Sequence, residues 1–297
     1  MLREKKKALW KIIIVVLIFV NCAMVLLKDD NAFVLYERLL STSSSRGDMV
    51  AWARAAVNSC NIEPLPNITV FFKYLNQTEY PCKNLTKFGG AIFPKFVDGD
   101  KWACLDSPVA PPPSNCLVYS FGINFEWSFD DAMASYGCEV YSFDPTMDMK
   151  EHKRSPNITF LKLGIGNSAR NFSRGKVDTL GGIIKKLGHV GRRIDYLKLD
   201  IEGMEVETLE EVFKNQPELL TNVTHLGVEI HPGKYNGANT TQPTNIFNRL
   251  WKTFQYLGCL EFQLLYWAYN PYPSYSMWKG IKQSCCYEIV WVRPPPR

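Results

Sequence analysis

The run Asp195 to Glu211, DYLKLDIEGMEVETLEE, constrains the fold more than any other part of the chain, because it reads as strand, sharp turn and helix in one stretch. Ile194 to Leu199 is apolar over a strand's length, and Ile201, Met204, Val206 and Leu209 then recur at helical spacing. Asp200, Glu202 and Gly203 therefore stand where the strand ends and the helix begins. In an open α/β sheet, ligands bind at the carboxyl ends of the strands, so an acidic turn there predicts a site for a polar group. Glu202 and Glu205 also have a plainer reading, as carboxylates that favour the first helical turn through its dipole.

From Cys116 onward strands and helices alternate, which predicts βα units and a mostly parallel sheet. Strands are expected at Cys116–Phe121, Cys138–Phe143, Ile158–Leu163, around Tyr196, and at His225–Ile230. Leu260–Trp267 and Cys286–Val292 have no helix between them and read as an antiparallel pair at the sheet edge. Helices are expected near Phe125–Tyr136, Asp178–Leu187, Glu202–Asn215 and Thr244–Leu257. The proline-rich PVAPPPSN, Pro108 to Asn115, is extended. Before it, Asp29 to Asp106 lacks sustained periodicity apart from a short helix near Asp48–Asn58. The expected division is thus residues 1–28 as cytoplasmic tail and membrane anchor, 29–106 as an irregular lumenal stem and cap, and 107–297 as the main domain.

Ile12 to Leu27 is an almost unbroken apolar segment, and with Ala8 to Trp10 it approaches the roughly 20 residues of a membrane helix. Arg3, Lys5, Lys6, Lys7 and Lys11 lie before or at its start and Asp29 and Asp30 follow, so the N-terminus stays cytoplasmic and the remainder is lumenal. The run ends in Met24, Val25, Leu26 and Leu27 rather than in small residues, which favours an uncleaved anchor over a signal peptide. A single-pass type II protein of the Golgi or another secretory compartment is expected. Asn67, Asn76, Asn84, Asn157, Asn171, Asn222 and Asn239 all head glycosylation sequons, in keeping with that placement. Cys22 falls in the anchor, and the other eight cysteines suit disulfides in an oxidising compartment, with 105 possible pairings. For Cys116 and Cys138, which open apolar strands, buried thiols are the plainer reading. Those basic residues account for the formal charge of +5, so the remainder is near neutral and nucleic acid is not an expected partner.

The first βα turn reads VYSFGINFEWSF. Gly122 follows the strand and lets the backbone bend tightly. A dinucleotide fingerprint wants further glycines where Asn124 and Trp127 stand, which disfavours a nicotinamide or flavin cofactor. Asp144 ends the next strand, where a carboxylate can accept both hydroxyl protons of a ribose. A glycine turn plus a ribose acid, without phosphate-binding glycines, fits a nucleoside cofactor lacking pyrophosphate, and S-adenosylmethionine is the common one. The plainer alternative is that Asp144 only caps a turn before Pro145.

VYSFGINFEWSFDDAMASYGCEVYSFDP and YLKLDIEGMEVETLEE, with DGDKWACLD and GVEIHP, resemble the methyltransferase-like proteins related to methyltransferase-like protein 24, and more distantly the FkbM group of O-methyltransferases. The resemblance covers about Gly89 to Val292. It implies a class I, Rossmann-like methyltransferase fold: a seven-stranded, mostly parallel sheet with an antiparallel last strand, binding S-adenosylmethionine over strands one and two. It places Gly122 and Asn124 at the methionine side, Asp144 at the ribose and Asp200 at the reaction centre, with Ser120 and Gly164 completing the cofactor set. Ile123 and Glu126 depart from the FkbM pattern, which has a small residue and a glycine there.

Transfer to a hydroxyl requires orientation and removal of a proton. Asp200 and His231, at the ends of neighbouring strands, form the expected base with a carboxylate beside it, and Glu229 is placed to orient cofactor or acceptor. A divalent cation would find oxygens on Asp200, Glu202 and Glu229, but no spacing requires one and none is expected. The aromatic run Tyr266 to Trp278 offers flat surfaces for a sugar, although aromatics more often fill cores. The expected acceptor is a glycan or similar hydroxyl-bearing molecule. The alternative is an inactive lumenal binding module that keeps the sheet.

Overall fold

The computed structural model describes residues 47–295 except 94–95, 173–174, 232–242, 271–274, 279–280 and 285. The expected anchor, Cys22, Asn239 and part of the aromatic run lie outside the described residues. Among the described residues no helix is long and apolar enough to cross a membrane. Trp52–Arg297 forms one compact unit.

In chain order the elements are α1 (47–58), α2 (Ile68–Leu75), β1 (Leu85–Phe88), β2 (Ala91–Phe93), β3 (Phe96–Asp98), β4 (Lys101–Cys104), β5 (Leu117–Phe121), α3 (Ser128–Tyr136), β6 (Glu139–Phe143), β7 (His152–Ser155), β8 (Ile158–Leu161), β9 (Leu163–Ile165), β10 (Arg170–Phe172), β11 (Gly175–Asp178) and α4 (Leu180–Lys186). There follow β12 (Ile194–Leu199), α5 (Glu205–Asn215), β13 (Val223–Ile230), α6 (Pro243–Cys259), β14 (Gln263–Tyr269), β15 (Tyr275–Trp278), β16 (Ile281–Ser284) and β17 (Tyr287–Val292).

The main sheet runs β14-β17-β13-β12-β5-β6-β8-β7. Its five central strands are parallel, from β13 through β12, β5 and β6 to β8. The last strand, β17, inserts antiparallel between β13 and β14, which satisfies both its edges. Every residue of β5, β12 and β13 is buried, the signature of strands covered on both faces. From β5 the chain winds outward through β6 and β8, then crosses back to β12 on the other side of β5. The strand order therefore reverses between β5 and β12, and in open α/β sheets ligands bind at the carboxyl ends of the strands beside such a reversal.

Three expectations need correction. The sheet has eight strands rather than seven. The extra strand, β7, is the polar HKRS, largely exposed, and a polar edge strand carries no hydrophobic alternation to read. The expected strand Ile158–Leu163 is two, because the chain leaves the main sheet at Leu161 and Leu163–Ile165 pairs with β11 in a small separate sheet. The stretch expected to be irregular contains α2 and the strands β1 to β4. Phe71 and Leu75 of α2 and Ala53 are fully buried in the main core, with Phe71 stacked at 5.2 Å on Phe254 of α6.

Disulfides join Cys60 to Cys259, Cys82 to Cys104 and Cys116 to Cys138, and Cys286 is disulfide-bonded as well. Cys116 and Cys138 are thus not free thiols. The register that sets Leu117 beside Glu139 brings the preceding cysteines side by side at a Cα separation of 4.5 Å.

Candidate active site

The candidate site is built on two backbone turns. At the end of β5, Gly122 adopts φ +81°, and a Cβ there would run into the Asp200 carbonyl oxygen. Glycine is needed both for the left-handed conformation and for the close approach of the two strand ends. Its N–H donates to Phe143 O at 2.9 Å. Asn124 and Phe125 continue the turn with φ +43° and +64°, and the Asn124 N–H donates to Asp144 Oδ2 at 2.9 Å. The bend on β5 and the carboxylate on β6 therefore meet. Asp144 Oδ1 accepts from the N–H and hydroxyl of Thr146, so one acceptor position remains, on Oδ2. Asp144 as placed can take one hydroxyl, not two.

Ser120 lies beneath this turn rather than in it. It is fully buried and its hydroxyl donates to Asp130 Oδ2 at 3.1 Å, while Ser142 donates to the other oxygen of Asp130. Burial drives the Asp130 carboxyl up to about 6, with the Ser142 bond opposing. A Cβ on Gly164, in β9, would run into the ring of Pro145, the residue after Asp144, and crowd the Val177 side chain. Ile123 is buried against Met147 and Phe160, so a bulky residue at this turn position points into the protein.

The second turn follows β12. Glu202 has φ +59° and Gly203 φ +103°. Glu205 opens α5, is almost wholly buried, and its Oε1 accepts from the N–H groups of Ile201 and Gly203 at 3.0 and 3.1 Å. The same oxygen accepts from His231 Nδ1 at 3.0 Å. The bond assigns the proton to Nδ1, because a carboxylate only accepts. It leaves Nε2 facing Asp200 Oδ1 at 3.9 Å, Glu202 Oε2 at 3.8 Å and Glu229 Oε1 at 3.8 Å. Asp200, Glu229 and His231 are therefore brought together as expected from their places on β12 and β13.

Four partners, all buried except the part-buried Glu288, lie outside the residues that the sequence pointed to. Lys198 Nζ donates to the carbonyls of Phe121 and Gly122 and stands 3.6 Å from Asp200 Oδ2, joining the two turns. Lys101 of β4, 1% exposed, donates to Glu288 Oε1 at 2.8 Å, and Asn270 donates to Glu229 Oε1 at 2.7 Å. Lys198 was legible, since period two puts it on one face of β12 with Tyr196 and Asp200. Glu288 was not, because only the β13–β17 register sets it opposite Glu229.

This crowding sorts the charges. Burial, then repulsion from Asp200 and Glu288, holds the Glu229 carboxyl well above its ordinary range. Burial works against ionisation of Asp200 too, but Lys198, Lys101 and His231 outweigh it and hold that group low. Burial pulls His231 down, yet the Glu205 hydrogen bond and the surrounding carboxylates raise it overall. Between the two carboxyls a proton is thus favoured on Glu229 and the charge on Asp200, with an oriented imidazole facing both.

A mostly parallel sheet with an inserted antiparallel strand, and carboxylates gathered at the strand ends, fit a Rossmann-like methyltransferase domain. Residues 56–263 match the family model described as a methyltransferase domain, and the chain belongs to that family. It is 26% identical over 237 residues to the human protein named probable methyltransferase-like protein 24, covering 75% of this chain and 63% of the relative. The rat protein of the same name is 26% identical over 243 residues, covering 75% and 64%. The chain thus spans a little under two thirds of the length of these curated relatives. No solved structure matches.

Proposed function

We propose that this protein is an S-adenosylmethionine-dependent methyltransferase that works in the lumen of the secretory pathway, held by an N-terminal type II anchor, and methylates an oxygen of a glycan or similar hydroxyl-bearing acceptor. The observation that carries the reading is the placement of His231 Nε2 among Asp200, Glu202 and Glu229 at the rim next to the Gly122–Asp144 turn. When bound, S-adenosylmethionine supplies an electrophilic methyl on a cationic sulfur. The residues present suit that donor: Asp144 retains one acceptor position for a ribose hydroxyl, and ionised Asp200 favours a nearby positive charge. Glu205 fixes the His231 tautomer, so Nε2 can take the acceptor's proton, and the raised basicity of the ring matches that task. Glu229, whose carboxyl burial and the neighbouring carboxylates hold well above its ordinary range, can donate to an acceptor oxygen and orient it.

The compartment rests on the three disulfides, which form in oxidising surroundings. Asn67, Asn76, Asn84, Asn157, Asn171 and Asn222 are all exposed, as carriers of N-glycans must be. Asp144, left with one acceptor position where a ribose offers two hydroxyls, favours a second reading, a binding module that retains the sheet without binding the donor. Isothermal titration of the full chain with S-adenosylmethionine and S-adenosylhomocysteine separates the two. The enzyme binds both, Asp144→Ala weakens both at least tenfold, and His231→Gln abolishes transfer while leaving titration intact. A folded chain that binds neither ligand is the module.

A further inference from the structure

The surroundings of His231 are also those of a metal ligand. Its Nδ1–H donates to Glu205 Oε1 at 3.0 Å, which leaves the lone pair on Nε2. A histidine that binds a metal ion through one ring nitrogen almost always gives the other N–H to a carboxylate, carbonyl or water in this way. Nε2 makes no hydrogen bond among the described residues, although the side chain is only 4% exposed, and it faces Asp200 Oδ1 at 3.9 Å and Glu229 Oε1 at 3.8 Å. Asp200 and Glu229 are within hydrogen-bond reach of one another, so the three donors converge. Lys198 faces the other oxygen of Asp200 at 3.6 Å, and Asn270 donates to Glu229 Oε1 at 2.7 Å, an oxygen with two lone pairs. An ion about 2.1 Å from two donors sets them about 3.4 Å apart at a tetrahedral angle, so each oxygen has to close on Nε2 by about half an ångström. Charge favours the ion too, since Asp200, Glu205, Glu229 and the facing Glu288 are met among the described residues by the ammonium groups of Lys101 and Lys198. The Cys286 sulfur lies within 4.8 Å of Glu229 and His231 donor atoms, but it is disulfide-bonded and offers no thiolate. One imidazole nitrogen and two carboxylate oxygens suit zinc, whereas magnesium and calcium take oxygen ligands.

We infer that Asp200, Glu229 and His231 form a binding site for one zinc ion, with Glu205 holding the imidazole for it, and that the ion competes with the acceptor for His231 Nε2. The ion site stands on its own geometry, and the competition rests on the methyl-transfer reading above. A lone pair committed to a metal cannot take a proton, so the zinc-loaded chain is held inactive and free zinc acts as a reversible inhibitor. Glu205 is a positioning residue for both uses of the ring, because it fixes which nitrogen carries the lone pair.

The test begins with zinc alone. Equilibrium dialysis of the full chain against buffered zinc should find one tight ion per chain. Glu205→Gln, which keeps an acceptor for the Ile201 and Gly203 N–H groups, should weaken it about 10–100-fold. His231→Gln should weaken it at least a hundredfold, and His152→Gln, at an exposed histidine, should leave it unchanged. Zinc should raise the melting temperature of the unmodified chain and not that of His231→Gln. Asp200→Asn, at least tenfold weaker, takes the place of His231→Gln if that variant does not fold. The ion site is overturned if the unmodified chain holds no tight ion, or if any folded variant at Asp200, Glu205 or His231 holds it as tightly. Saturating zinc should abolish transfer to methyl hexopyranosides and a chelator should restore it, and transfer that persists at saturation overturns the competition. Titration with S-adenosylmethionine separates the two readings: a chain that binds zinc but not this donor keeps the ion site and loses methyl transfer, and one that binds the donor but not zinc loses the ion site alone.

Discussion

His225 shows how a single buried side chain couples this fold to pH. It is fully buried in β13, stacked on Tyr196, and its Nε2 accepts the Cys104 N–H at 3.1 Å while Nδ1 faces Asp195 O at 3.2 Å. Accepting at Nε2 requires the neutral ring, and burial depresses its pKa to about 4. The unfolded chain protonates this residue near 6.5, so between pH 6.5 and 4 the unfolded state binds more protons and stability falls as the pH falls. The loss amounts to about 3 kcal/mol once both states are protonated. Urea unfolding at pH 7 and pH 4.5 should show this acid loss in the unmodified chain and a visibly smaller one in His225→Gln. Equal losses in both would place the acid sensitivity elsewhere. Gly122 was legible at the same scale because tight turns after strands favour glycine, but its second constraint, contact with the Asp200 carbonyl, depends on a residue far along the chain.

Among the elements, α2 marks the limit of periodicity as a guide. ITVFFKYL is eight residues long and too short to announce a helix by pattern alone, yet Asn67 caps it by accepting from Val70 N–H at 3.2 Å. It is held by its contacts with α6, where Phe71 meets both Phe247 and Phe254. Phe71→Ala should therefore cost about 3–5 kcal/mol, seen as a lower denaturant midpoint with an unchanged slope. A cost under 1 kcal/mol would mean that α2 is an appendage. The long elements were legible for the converse reason: β5, β12 and β13 are continuous apolar runs, and α5 carries a regular apolar stripe. The polar β7 and the short β1 to β4 carry neither signal, because their order comes from partners.

At the scale of the whole molecule, the segment before the sheet is bound into the core at both its ends. Cys60 is linked to Cys259 across 199 residues, and Cys82 to Cys104 ties β4 down beside the Lys101–Glu288 pair. Closing so long a loop removes much unfolded-state entropy, about 5 kcal/mol on the chain-entropy account. Replacing both Cys60 and Cys259 with Ser should lower the melting temperature by at least 10 °C, since about 1 kcal/mol moves a domain of this size by about 2–4 °C. A shift within 2 °C would mean that the packing alone supplies the stability.

The sequence by itself determined the alternation of strands and helices, the antiparallel end of the sheet, and the acidic turn at Asp200, Glu202 and Gly203. These are written in local periodicity and in residues that only certain turns accept. The tertiary structure alone decided that Cys116 bonds Cys138, that Ser120 is sealed beneath the turn, and that Lys101, Glu288 and Asn270 surround Glu229. Each depends on strand register or on a segment docking from far away in the chain, and such distances are set by packing in three dimensions rather than by spacing along the chain.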